Sequence, residues 1–374
     1  MSINILIVTS NYPPGTAAGA SIYFDTLVRS LQKVNGPEKI IILTEFAKGM
    51  PLVNTEGTSR IFRVLFPKGK KQRSERWGFG MRLFTFIINN ILLLLYIPVL
   101  TLVYRVDIIH IHCSFFKIQK NLHFPNLLVY SLLMGVKKAF GPKVIVDVRG
   151  PGHTYNFYNR FDKIICASQN TYDSAIQQGL DKGKCLLVPI PFERPIVHIG
   201  LSDRERLKQL QPYICFVGRI ERSKGVYELI DAFEMLCCNL PGHNLVLIGT
   251  MEDEYFLEKI KKNRRIYYLG AKPHNEVIKI ISEAELLVLP SKSEGLPRSC
   301  LEAMSLGTKV LLPPGIPEFS QHCKNFQLDR IEASEIASKM HKLLSNSDKA
   351  TYPFEKHDPI KIAESVISIY REII

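Results

Sequence analysis

The stretch Glu285–Pro314, ELLVLPSKSEGLPRSCLEAMSLGTKVLLPP, decides the fold. Leu286–Leu289 is a short apolar run of strand type. Pro290–Pro297 interrupts it with Ser, Gly and two prolines. From Arg298 the pattern turns helical, with Leu301, Met304 and Ser305 on one side and Gly307 as a stop. A second apolar run, Val310–Leu312, follows at once. Strand, loop, helix and strand in that order predict a parallel α/β sheet. Glu294 in the loop and Glu302 in the helix frame this unit.

Open α/β sheets receive ligands beyond the carboxyl ends of their strands, where helix N-termini point. Backbone amides from Gly295 to Ser299 are placed to face an anion, helped by the helix dipole. A carboxylate there repels phosphate but accepts two hydroxyls of a sugar or ribose. On these residues, E-G-L-P-x-x-x-x-E resembles the E-x7-E signature of family 4 of the retaining glycosyltransferases (glycosyl transferases group 1). The resemblance implies an α/β, GT-B architecture. In it, two Rossmann-like α/β domains face each other across a cleft, and the C-terminal helix crosses back to the N-terminal domain. It also implies that Glu302 holds the nucleotide ribose, and that Glu294, with Gly295 and Leu296 after it, meets the donor sugar and diphosphate.

Length and charge agree with two domains. The chain has 374 residues, enough for two of ordinary size. Its eight cysteines are scattered without metal-ligand spacing and read as cytosolic free thiols. Ile3–Val8 is too short for a signal peptide. The net charge is +13, and its distribution is lopsided: residues 1–195 carry 24 Lys/Arg against 11 Asp/Glu, and residues 196–374 carry 24 against 24. Such a charge fits an anionic membrane surface. Nucleic-acid binding is disfavoured, because no interleaved aromatics on a repeat and no known module accompany the charge.

The chain opens on a strand, Ile3–Val8, and a loop of small residues, Asn11–Gly19, before a helix beginning near Ala20. Small residues allow close backbone approach to a ligand at a helix start. The loop is similar to the family's N-terminal glycine-rich loop, with Gly15 and the pair Gly19-Ala20 as its acceptor or cleft residues. Strands are expected at Ile40–Leu43 and Ile61–Leu65, followed by the basic residues Lys68, Lys70, Lys71, Arg73, Arg76 and Arg82. Leu83–Tyr104 then runs 22 residues without a charge, long enough to span a bilayer. Asn89, Asn90 and Pro98 lie within it, and it falls between elements of one α/β domain. It is therefore expected to be a buried helix whose entrance, with Trp77 and Phe79, rests on an anionic membrane surface. Asp107–His112 resembles the family's D-[VI]-[VI]-H-x-H strand, which makes His112, at its carboxyl end, a cleft residue. After the strand Val144–Val148 most relatives carry a His where this chain has Arg149-Gly150, so Arg149 or His153 is left to take that role. Further strands are expected at Asp162–Ser168 and Cys185–Val188.

Pro191–Pro212 reads as the linker. The expected domains are 1–195 for the acceptor, 196–355 for the nucleotide-sugar donor, and a last helix, 356–374, packing on the first. After the strand Tyr213–Val217 comes GRIERSKG. A guanidinium fork and an ammonium near a helix start suit a diphosphate. The text resembles the family's G-R-x4-K-G, with Gly218, Arg219, Lys224 and Gly225 all present. By that resemblance Arg219 and Lys224 neutralise the leaving diphosphate.

No Asp-x-Asp occurs in the sequence, so leaving-group stabilisation is expected from Arg219, Lys224 and helix amides instead of a metal. Retention of configuration is implied by resemblance only. The expected activity is transfer of a hexosyl group from a UDP- or GDP-sugar to a lipid-linked or membrane-proximal glycan in cell-surface polysaccharide synthesis. No further cofactor is expected, and the location is the inner face of the membrane. A GT-B nucleotide-sugar epimerase, or another non-transferase GT-B enzyme, is the alternative.

Overall fold

Runs of Ile, Leu and Val without polar alternation become parallel strands buried on both faces. The computed structural model describes residues 3–10, 12–13, 19–34, 36–67, 75–119, 122–152, 154–197, 204–236, 242–251 and 255–374. It divides into two units, Met1–Glu193 with Glu355–Ile374, and Arg194–Phe354.

The first unit holds strands β1 (Asn4–Val8), β2 (Lys39–Glu45), β3 (Val53–Glu56), β4 (Ser59–Leu65), β5 (Ile108–His112), β6 (Lys117–Gln119), β7 (Leu122–Pro125), β8 (Lys143–Val148), β9 (Lys163–Cys166) and β10 (Cys185–Leu187). Its helices are α1 (Gly19–Lys33), α2 (Glu75–Tyr104), α3 (Leu127–Phe140) and α4 (Gln169–Gln177). Eight strands form one sheet in the order β10-β9-β8-β5-β1-β2-β4-β3, and β6 pairs with β7 separately. Only β3 runs antiparallel in the large sheet. β3 had no sequence signal, because VNTE is a polar, largely exposed edge strand. One face of the sheet packs Leu6, Ile41, Ile109 and Val146 against Leu93, Ile97 and Leu100 of α2 and Val129 and Leu133 of α3.

Two expectations need correction. Leu83–Tyr104 is helical but not buried: only 28% of its apolar window is covered. The helix is apolar all round, while a sheet face covers one side of it. The linker expected at Pro191–Pro212 contains a helix, α5 (Arg204–Leu210), whose Leu207 and Leu210 are buried at helical spacing. Gly15, His153, Lys68, Lys70, Lys71, Arg73, Cys237 and Cys238 lie outside the described residues, as do the side chains of Ala20, Arg76, Trp77, Phe79 and Arg82.

The second unit continues with strands β11 (Tyr213–Val217), β12 (Asn244–Ile248), β13 (Ile266–Gly270), β14 (Leu286–Val288) and β15 (Lys309–Leu311). They form a parallel sheet in the order β13-β12-β11-β14-β15. Helices α6 (Val226–Leu236), α7 (Tyr255–Lys261), α8 (His274–Glu283), α9 (Arg298–Ser305), α10 (Pro317–His322) and α11 (Ala333–Leu344) alternate with the strands or follow them. The last helix, α12 (Pro359–Ile373), returns to the first unit and packs on α1. Asp358 caps it, its carboxylate accepting from the amides of Ile360 and Lys361.

A buried polar chain ties α12 to the sheet. The hydroxyl of Tyr370 and Nδ1 of His110 share a hydrogen bond of 2.7 Å, and Nε2 of His110 lies 3.4 Å from Asp147. Asp147 Oδ1 in turn meets Nε of Arg149 at 2.5 Å. Burial alone pushes the Asp147 carboxyl up, but Arg149 first and then His110 outweigh it and hold the group at about 2, below the ordinary 3.8. A depressed folded-state value stabilises the protein above the unfolded value, and that stability is lost as pH falls through the folded one. The first unit should therefore lose about 2 kcal/mol between roughly pH 4 and pH 2. Denaturant titrations followed by the single tryptophan, Trp77 on α2, should show this loss in the wild type and a flatter profile in Asp147→Asn. Equal slopes in the two proteins would contradict the assignment.

Candidate functional site

In the second sheet the strand order turns at β11, with β12 on one side and β14 on the other. Such a turn leaves the carboxyl ends of β11 and β14 as the place where a ligand is received. The loop after β11 carries Gly218, Arg219 and Lys224, and the loop after β14 carries Glu294, Gly295 and Leu296. Their closeness rests on glycine. Gly225 has φ +66°, and a Cβ there would lie 2.0 Å from the carbonyl oxygen of Pro290. Gly249, at φ +144°, lets the end of β12 pass the carbonyl of Gly218, which a Cβ would meet at 1.8 Å. The Lys292 amide then donates to the Ser223 carbonyl at 2.9 Å and joins the two loops.

The charged groups follow from this contact. Lys224 Nζ donates to Glu294 Oε1 at 2.5 Å, and both side chains are largely buried. The Arg219 guanidinium forks onto Glu221, with contacts of 3.1 and 2.9 Å, and is 45% exposed. Its planar donors are thereby aligned while solvent still reaches them. α9 starts at Arg298, after Pro297, without a side-chain cap. Glu302 lies inside α9 with its side chain only 5% exposed, and its Oε1 accepts from Nε2 of His274 at 2.8 Å. His274 is the first residue of α8.

In the first unit the strand order turns at β1, between β2 and β5. At their carboxyl ends the hydroxyls of Ser10 and Ser114 are 3.2 Å apart. Nδ1 of His112 faces the Ser114 hydroxyl at 2.7 Å and the Ser114 amide at 3.3 Å. Two donors on Nδ1 leave the neutral ring carrying its proton on Nε2. Gly19 is the exposed first residue of α1, followed by Ala20. Arg149 is drawn down to Asp147 and lies over the rings of Tyr23 and Phe24. It is a counter-ion of the buried chain rather than a free cation.

The structure thus brings Lys224 and Glu294 into contact, sets Arg219 at the end of β11, and places Glu302 one helix turn and more into α9. Three groups escaped notice in the sequence. Glu221 stands two residues after Arg219, where a partner for a guanidinium could have been sought. His274 is 28 residues from Glu302 in sequence and gave no signal. Asp147 read only as one polar residue in a strand.

Comparison with known proteins follows the same division. Residues 201–357 match the family described as glycosyl transferases group 1. The whole chain resembles sucrose-phosphate synthase from Thermosynechococcus elongatus, with a TM-score of 0.70 at 16% identity, over 99% of this chain and 98% of that one. The chain has the GT-B fold. Anabaena HepE in complex with UDP and glucose shares this GT-B fold, with a TM-score of 0.65 at 16% identity over 99% of this chain and 100% of that one. A 41.2 kDa protein from the cps region of Klebsiella pneumoniae is 24% identical over 226 residues, which cover 55% of this chain and 60% of that protein.

Because the two loops of the second unit meet at a bare Cα, Gly225→Ala should be far worse than an ordinary glycine replacement. Left-handed strain alone costs about 1–2 kcal/mol, and displacement of the Pro290 carbonyl adds to it. Gly242, at φ +86° with nothing within 4 Å of a built Cβ, provides the control for strain without a clash. Unfolding measurements should show Gly242→Ala losing about 1–2 kcal/mol, and Gly225→Ala losing clearly more. Equal losses would mean that the loops do not depend on this contact.

Proposed function

We infer that the protein is a glycosyltransferase that moves a hexosyl group from a UDP- or GDP-linked sugar to a glycan acceptor, lipid-linked or membrane-proximal. The observation that carries this is the Lys224–Glu294 pair at the carboxyl ends of β11 and β14, with Glu302 held by His274 on the helix that follows. The group 1 match over the same residues supports it. So does the UDP in a structure of the same fold, and a relative encoded in a cps region supports a role in polysaccharide synthesis.

The reaction follows from the charges. Glu302 has one oxygen engaged by His274, which fixes the carboxylate for the ribose hydroxyls. The diphosphate gains negative charge as the bond from the anomeric carbon to its phosphate oxygen breaks. Arg219, Lys224 and the amides from Gly295 onward meet that charge, and stabilising it in the transition state accelerates transfer. Glu294 keeps Lys224 oriented and faces the sugar as it becomes oxocarbenium-like. The acceptor oxygen bonds to the anomeric carbon on the face that the phosphate leaves, and its proton passes to the departing phosphate. Configuration is thereby retained without a protein nucleophile and without a metal ion.

Glu302→Ala should weaken nucleoside diphosphate binding by about tenfold to a hundredfold, the worth of a hydrogen bond to a charged group. Calorimetric titration measures this. His274→Ala should shift the same affinity in the same direction, and His274→Gln should restore part of it. Unchanged affinity in all three would remove Glu302 from the nucleotide site.

Arg219→Ala and Lys224→Ala should lower kcat by more than they raise KM for the donor, and transfer should continue in excess chelator. An absolute requirement for a divalent cation would overturn the leaving-group assignment. Formation of an epimerised nucleotide sugar with no acceptor present would overturn the transferase reading itself.

A further inference from the structure

α2 is built like a core helix and is only half covered. Between Leu83 and Tyr104 it carries no charge and has a mean hydropathy of 2.3, yet 28% of that window is buried. Its inner face enters the core through Leu93, Ile97 and Leu100. Its outer face presents Ile87, Ile91, Leu94, Leu95, Val99 and Leu102, each between 46% and 63% exposed. Their spacing of one, three or four residues makes a single stripe along the helix. At 1.5 Å per residue the stripe from Ile87 to Leu102 is about 23 Å long. Leu127 and Leu128 of α3 widen it, since Nδ2 of the Asn126 side chain donates to Oδ1 of Asn90 and sets the start of α3 beside the middle of α2.

The composition of this face identifies what covers it. Every exposed side chain from Leu83 to Val103 is apolar. A protein interface of this size would carry a polar rim and roughly one hydrogen bond per 100–200 Å², and this stripe offers no side-chain donor or acceptor. Acyl chains require none. The surrounding charge selects the lipid. Residues 66–146 hold 12 Lys/Arg and 2 Asp/Glu, a net of +10 out of the chain's +13. Six of those cations precede the stripe between Lys68 and Arg82, and Arg105 and Lys138 are exposed at the far ends of α2 and α3.

We propose that α2 is a monotopic membrane element, lying along the surface of an anionic bilayer with its outer stripe among the acyl chains and its flanking cations at the headgroups. It does not cross the bilayer. Besides its packed inner face, the Asn89 side chain accepts from the Phe66 amide at 2.7 Å and donates to the Phe66 carbonyl at 2.8 Å, pinning the helix to the chain that leaves β4. A spanning helix would have to give up these bonds and the core contacts together.

The test uses the full chain without donor or acceptor, so its outcome is independent of the proposed reaction. Flotation is compared on vesicles of phosphatidylglycerol with phosphatidylcholine and on phosphatidylcholine alone. The expected result is binding to the anionic vesicles, weakened by salt and reversed by carbonate. A triple variant, Leu94→Ser, Leu95→Ser and Val99→Ser, alters only exposed positions and should keep the wild-type melting temperature while losing about tenfold or more in partitioning. Absence of vesicle binding by the wild type would overturn the proposal. So would a carbonate-resistant association, which means a span. A dimer in solution that the triple variant dissolves, with vesicle binding unchanged, would assign the stripe to a second copy of the chain.

Discussion

The carbonyl oxygen of Pro290 occupies the space where a side chain at position 225 would begin. The candidate donor site depends on that one steric fact. It lets the loop after β11 touch the loop after β14, and only then can an ammonium and a carboxylate far apart in sequence stand 2.5 Å from each other. Gly249 against the carbonyl of Gly218 repeats the device one strand over. Parallel strands alone would leave these loops side by side, and missing Cβ atoms draw them together.

The first unit solves a different problem. Asp147 is fully buried, and a buried carboxylate is tolerable only with counter-charge close by. Arg149 supplies it, His110 faces the same carboxylate, and Tyr370 extends the chain of contacts to α12. The same arrangement explains why Arg149 does not stand free at the end of β8. Its guanidinium neutralises Asp147 and covers Tyr23, a structural duty that an uncharged histidine could not perform at neutral pH.

Against these two polar constructions, α2 is defined by what it lacks. Its inner residues behave as those of any helix on a parallel sheet, but its outer residues are left exposed among the described residues. Asn89 and Asn90, which looked like interruptions of an apolar run, are the groups that attach the helix to β4 and α3. Both polar side chains turn to the fold beside the apolar core residues Leu93 and Ile97, whereas a water-facing helix would carry its polar groups outside.

Much of this was legible in the residues themselves. The strand–loop–helix–strand text of Glu285–Pro314 gave the parallel sheet, because buried parallel strands read as unbroken apolar runs. The elements Tyr213–Val217 and Val226–Leu236 have the ends that their apolar periodicity implies. Arg219, Lys224 and Glu294 each stand beside a glycine at a loop or helix start, and Glu302 stood out by the resemblance of Glu294–Glu302 to the E-x7-E signature. The polar strand β3 and the helix α5 inside the expected linker were hidden, since neither has a long apolar pattern. The sequence by itself determined which long apolar runs form strands and helices and which charges lie at their ends. Only the tertiary structure decided that Lys224 meets Glu294, that His274 holds Glu302, that Arg149 is tied to Asp147, and that α2 is covered on one side alone. Pairing and burial depend on which surfaces meet in space, and periodicity along a chain records a face without naming its partner.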